Sequence, residues 1–98
     1  MNKQIRVTFK GYSGERNIGV ADTYNDAMKI INKFLNEHHF KSYYSIMRVL
    51  NDKIQIDVGS HTEFFYLYCE GNLTIQEVVK GVIDEGIDNM NKEEEIDV

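Results

Sequence analysis

Proline and tryptophan are absent from this 98-residue chain, and cysteine occurs once, as Cys69. A single thiol excludes an internal disulfide and fits a reducing compartment. A cytoplasmic location is therefore expected. Long apolar runs are also lacking. The longest, Phe64 to Cys69, falls far short of the ~20 residues that span a bilayer. Met1-Asn2-Lys3-Gln4 leads straight into alternating residues, without the apolar segment of a signal peptide. No membrane role is expected. No repeat or low-complexity run accompanies the lack of proline. With 42% apolar and 28% charged residues, the composition is that of an ordinary globular chain. Its length suits a single domain with one modest core.

The charge is unevenly placed. The chain carries a formal net charge of -5. Residues 74–98 hold eight acids (Glu77, Asp84, Glu85, Asp88, Glu93, Glu94, Glu95 and Asp97) and two lysines. Residues 1–73 are close to balanced, with eight acids and nine bases. A general phosphate-binding protein would show a basic stripe instead, because neutralising phosphates drives its affinity. The small cluster Lys3, Arg6, Lys10 and Arg16 reads as the solvated side of a strand.

Hydrophobic periodicity places the elements. Ile5, Val7 and Phe9 alternate with Arg6, Thr8 and Lys10, which predicts a half-buried strand. Gly11 to Gly14 break it, and Asn17 to Ala21 return as a short strand. Thr23 with Asp26 resembles a capping box. Tyr24, Ala27, Met28, Ile31, Phe34, Leu35 and His38 then fall at helical spacing, so a helix is expected from Tyr24 to His38. Three strands follow: Ser42–Leu50, Lys53–Val58 and Glu63–Glu70. Asn51-Asp52 is a two-residue hairpin turn between the first pair. Thr74-Ile75-Gln76-Glu77 is a second capping box, and Ile75, Val78, Val79, Val82, Ile83, Ile87 and Met90 share one helical face. Gly81 and Gly86 weaken that helix by roughly 1 kcal/mol each relative to Ala. Gly86, on the apolar side, suggests close packing. The expected fold is α+β in β(β)αβββα order, an antiparallel sheet of four to five strands with two amphipathic helices on one face. Residues 1–90 form the domain and residues 91–98 an acidic, flexible tail.

Register arithmetic assigns the other face. With Asn51 and Asp52 at the turn, Val49 pairs with Ile54 and Met47 with Ile56. Ile54, Ile56 and Val58 face the helices, and so do Phe65, Leu67 and Cys69. Successive side chains alternate. Tyr44, Ile46, Leu50, Phe64, Tyr66 and Tyr68 then share the opposite face with Arg48. Tyr, Phe and Arg are enriched in interface cores, so this set is the candidate partner-binding surface. A homodimer through it, or a different protein docked on it, are the functional readings. Cover by the amino-terminal segment, or a register slip, is the structural one. Aromatic sheet faces also stack single-stranded RNA, but those faces are basic around the rings. Direct nucleic-acid binding is therefore not expected.

No catalytic residue, metal or cofactor is expected either. Cys69 and His61 are a conceivable thiol and base, but parity puts Cys69 in the core. His38-His39 diverge by about 100° on a helix, and no carboxylate or cysteine completes a ligand spacing with His61. Ser60 beside His61 suits a turn cap better than a nucleophile. The glycines form no phosphate loop. The chain does not read as an enzyme.

The α-β-β-β-α run from Tyr24 to Met90 resembles the double-stranded-RNA-binding domains. That family binds through a lysine-rich start to its last helix, where this chain has Thr74-Ile75-Gln76-Glu77 and then only Lys80. The chain is also similar in general character to small acidic inhibitors from phages and mobile elements, such as anti-CRISPR proteins and uracil-DNA glycosylase inhibitors. That resemblance implies a non-catalytic inhibitor that occludes the nucleic-acid-binding surface of an enzyme such as a CRISPR nuclease. In that reading the aromatic face makes the contact. Glu77, Asp84, Asp88, Glu93, Glu94 and Glu95 add a row of negative charge that can occupy a basic groove. A structural homo-oligomer assembled through the aromatic face, and an RNA-binding domain, are the alternatives.

Overall fold

A computed structural model describes residues 3–41, 44–60 and 62–85. The order is β1 (Gln4–Gly11), β2 (Gly14–Ala21), α1 (Tyr24–Glu37), β3 (Ile46–Val49), β4 (Ile54–Asp57), β5 (Phe64–Glu70) and α2 (Ile75–Glu85). The strands make one five-stranded sheet in the order β2-β1-β5-β4-β3, antiparallel at each pairing. This is the expected α+β fold. The β3–β4 register is also as expected, with Met47 opposite Ile56 and Val49 opposite Ile54, and on β5 Phe65 opposes Ile56.

Both helices begin where their side chains can satisfy the orphan amides of the first turn. Thr23 Oγ1 accepts from the Asp26 N–H at 3.1 Å. Thr74 and Glu77 close a reciprocal box, with the Glu77 N–H on Thr74 Oγ1 at 3.2 Å and the Thr74 N–H on Glu77 Oε1 at 3.0 Å. Along α1, Tyr24, Ala27, Ile31, Phe34 and Leu35 form the buried stripe. They pack with Val78 and Val82 of α2 onto Ile5, Val7, Ile54, Ile56, Phe65 and Leu67. Gly19 lets α1 close on β2, since a Cβ there would lie 2.9 Å from Ile30 Cδ1.

Several boundaries differ from expectation. The first helix ends at Glu37, with His38 as its cap and His39 in the left-handed region at φ 58°. His38 instead stacks on Phe34, ring centres 4.1 Å apart. β2 starts at Gly14 rather than Asn17, because the Gly11–Gly14 hairpin lets it pair with β1 from Ile5 to Gly11. Its register shifts opposite Val7 and Thr8, so a bulge resets the parity that alternation alone would give. Of the expected strand Ser42–Leu50, Ser42 and Tyr43 lie outside the described residues, and β3 takes up only Ile46–Val49 of the rest, because its partner β4 ends at Asp57. There the Asp57 carboxylate accepts the Gly59 N–H at 2.9 Å and turns the chain away. Leu50 and Lys53 do bracket the hairpin tip, joined by a 2.9 Å bond from the Leu50 N–H to the Lys53 carbonyl. Yet among the described non-glycine residues only His39 has a positive φ, so Asn51-Asp52 is not a type I′ turn. Gly86, the helix beyond Glu85 and the tail 91–98 lie outside the described residues.

Candidate partner-binding face

Alternation along β1, β5, β4 and β3 aims Arg6, Thr8, Tyr66, Tyr68, Gln55 and Arg48 away from the helices. The ladders align Thr8, Tyr66, Gln55 and Arg48 in one row across four strands. Arg6 lies opposite Tyr68 in the next row. Antiparallel neighbours in such rows touch side by side.

The aromatic rings are enclosed by cations and hydrogen bonds of their own chain. Lys53 Nζ sits 4.6 Å from the centre of the Tyr66 ring and 5.5 Å from that of Tyr68. The Arg6 guanidinium lies 4.4 Å from the Tyr68 centre, and its Nε also reaches Glu70 Oε2 at 2.7 Å. Such placements are attractive because a ring face is electron-rich. The Tyr66 hydroxyl accepts from Gln55 Nε2 at 3.2 Å. Arg48 Nη1 donates to Asp57 Oδ2 at 2.6 Å and to Gln55 Oε1 at 3.3 Å. Glu15 Oε2 accepts from Thr8 Oγ1 at 2.6 Å and from the Tyr68 hydroxyl at 2.5 Å. Those two donors favour the ionised acid, so the Glu15 carboxyl is held below the usual range. Burial first, and then the bond to Glu15, push the Tyr68 phenol above its usual value. Among the described residues no buried side-chain nitrogen or oxygen lacks a partner.

The expected site residues fare differently. Arg48, Tyr66 and Tyr68 belong to this network. Ile46 and Phe64 are half-buried on the same face, and Tyr44 stands 47% exposed. Tyr66 is only 7% exposed, with Lys53 over its ring and Gln55 on its hydroxyl. Glu77 is elsewhere, on α2, where its carboxylate pairs with Lys3 Nζ at 2.8 Å. Asp84 falls in the last turn of α2. Asp88, Glu93, Glu94 and Glu95 lie outside the described residues. Arg6, Glu15, Lys53, Gln55 and Asp57 were missed as members of the site. The parity of β1 and β4 was sufficient to add Arg6, Gln55 and Asp57. Glu15 needed the β1–β2 pairing, which periodicity does not reveal.

Cys69 is half-buried on the helix side, and burial, aided by the Glu77 charge, raises its thiol above the ordinary value. A thiol so shifted is a poor nucleophile at neutral pH. His61 lies outside the described residues. Among the described residues no group of three His, Cys, Asp or Glu side chains is placed to hold a metal. No described helix is long and apolar enough to cross a membrane. No family model matches the chain, and no curated protein or solved structure matches it either.

Proposed function

We propose that this protein is a non-catalytic binding module whose partner protein docks on the open face of the sheet. The observation that carries the reading is the arrangement of Arg48, Tyr66 and Tyr68 in a network on the face opposite both described helices. Rings and a guanidinium already held by their neighbours lose little freedom when a partner lands, which favours binding. The net charge of -5, concentrated in residues 74–98, favours a partner with a basic surface, although the acids on α2 lie on the helix side and act on it only at a distance. Long-range attraction steers such a pair together. The finer form of the reading is an inhibitor that occludes the nucleic-acid cleft of a DNA-handling enzyme such as a CRISPR nuclease.

The test compares capture of a basic partner by the native protein, by Arg48→Ala/Tyr68→Ala, and by Lys29→Ala on α1. Loss of two hot-spot side chains is expected to weaken binding by roughly thirty-fold or more, while Lys29→Ala binds as the native protein does. Equal binding by all three would remove the open face from the mechanism. Asp84→Lys/Asp88→Lys is expected to weaken binding and flatten its salt dependence. A DNA-cleavage assay with an RNA-guided nuclease tests the finer form. Inhibition that disappears in the face variant supports it, and cleavage unaffected by excess protein refutes it.

A further inference from the structure

The helix side of the sheet is not filled evenly. Near the C-terminal end of α1 a cavity of about 170 Å³ opens to solvent. Its floor is buried and apolar, formed by Leu35, Val58 and Phe65. Phe9 and Phe40 wall it. The Phe9 ring centre lies 5.8 Å from that of Phe40 and 5.3 Å from that of Phe65.

The two flanks are built by separate local signals. His39 takes the left-handed region at the end of α1, and the Phe40 N–H returns to the Leu35 carbonyl at 3.0 Å. A helix end closed in this way brings the following residue back against the last turn, so Phe40 joins Leu35 in lining the cavity. On the other flank Gly59 is also left-handed, at φ 98°. Ser60 pins the turn after it. Its Oγ accepts the Thr62 and Glu63 N–H groups at 3.3 and 3.2 Å and donates to Glu63 Oε1 at 3.0 Å. The Glu63 carboxylate is thereby held at the rim, which Lys41 also lines. These two opposite charges do not pair with each other. Among the described residues neither forms any ion pair.

We infer that the cavity binds a small zwitterion with one apolar ring, an aromatic α-amino acid of phenylalanine's size. Its carboxylate meets Lys41, its ammonium meets Glu63, and its ring enters among Phe9, Phe40 and Phe65. The size fits, since an apolar cavity of ~150 Å³ admits a benzene ring. The walls fit, since aromatic rings pack together at the spacings these phenylalanines already keep. The charge fits because a neutral guest would leave both rim groups unused, and a plain acid or amine would leave one. The cavity lies on the helix side, away from Arg48, Tyr66 and Tyr68. Its failure would leave the docking proposal standing.

A nuclear magnetic resonance titration of the full chain tests the site. With phenylalanine, the amide signals of Leu35, Gly59 and Phe65 are expected to shift saturably, with a Kd of about 1 mM. Glycine, which lacks the ring, should leave them in place. 3-Phenylpropionate lacks the ammonium and 2-phenylethylamine lacks the carboxylate, so each should bind roughly five-fold more weakly. Two variants assign the charges. Lys41→Met is expected to weaken phenylalanine and 3-phenylpropionate but not 2-phenylethylamine. Glu63→Gln, which keeps an acceptor for Ser60, is expected to weaken phenylalanine and 2-phenylethylamine but not 3-phenylpropionate. The native chain with the four ligands decides the matter even if a variant fails to fold. Absence of saturable shifts at about 10 mM phenylalanine, roughly ten times the expected Kd, would overturn the inference. So would phenylalanine binding no better than either singly charged analogue, or variants that weaken all ligands alike.

Discussion

On the helix side of the sheet, Phe65 and Leu67 are sealed by apolar side chains from α1 and α2. On the other side Tyr66 of the same strand reaches 7% exposure with no described helix above it. The first burial is non-directional and spreads over many contacts. The second depends on a few placed groups: Lys53 over the ring, Gln55 on the hydroxyl and Arg48 beyond it. Even Thr8, in the same row on the inner strand β1, is 1% exposed, and its hydroxyl is satisfied there by Glu15. An antiparallel sheet with helices on one side need not be greasy on the other to keep aromatic rings from water. It can hold them in a lattice of cations and hydrogen bonds, which stays polar toward solvent and still presents ring and guanidinium chemistry to a partner.

The contrast can be broken from either side. Phe65→Ala empties the centre of the apolar layer and is expected to destabilise the fold by about 3–5 kcal/mol, measured by denaturant unfolding. Arg48→Ala leaves the nearly buried Asp57 carboxylate without its cation. About 1–3 kcal/mol is expected, below the Phe65 effect because Arg48 is itself half in water. If Asp57→Asn in the same background restores part of the loss, the buried charge is the cause. Tyr66→Phe keeps the ring and the Lys53 contact but removes the acceptor for Gln55. It should cost about 0.5–1.5 kcal/mol, and a larger loss would mean that the hydroxyl organises the whole row.

The pH dependence sharpens the comparison with the smallest effect, through the Tyr68–Glu15 pair of the open face. The Tyr68 phenol has a raised folded-state value, from burial and then from Glu15. Its contribution is therefore present below the ordinary phenol range near ~10 and is lost as pH rises through the folded value. Glu15 is depressed by Thr8 and then Tyr68. Its contribution is present above the ordinary carboxylate range and is lost as pH falls through the folded value. Ultraviolet titration, native against Tyr68→Phe, should isolate one late-ionising phenol. Glu15→Gln should bring it back toward the ordinary range without abolishing the shift, since burial is its larger cause.

Short-range order was legible wherever one element supplied its own signal. Thr23 and Thr74 announce their helices because a capping side chain and its amide are three residues apart. Ile54 and Ile56 name their face because strand side chains alternate. The β3–β4–β5 register could be counted because short loops leave little freedom in pairing. The open face was half legible. Its rings were found, but they read as exposed grease because the groups that enclose them come from β1, β2 and β4 as well as β5.

By itself the sequence determined the element types, their caps, the parity of β1, β3, β4 and β5 and the concentration of acid after Leu73, all properties written within a few residues of one another. Only the tertiary structure decided that β1 lies between β2 and β5, bringing Arg6 to Tyr68 and, through a bulged hairpin, Glu15 to the same hydroxyl. Contacts between residues that distant repay the entropy of closing a long loop only when the whole sheet assembles. No local pattern can encode them.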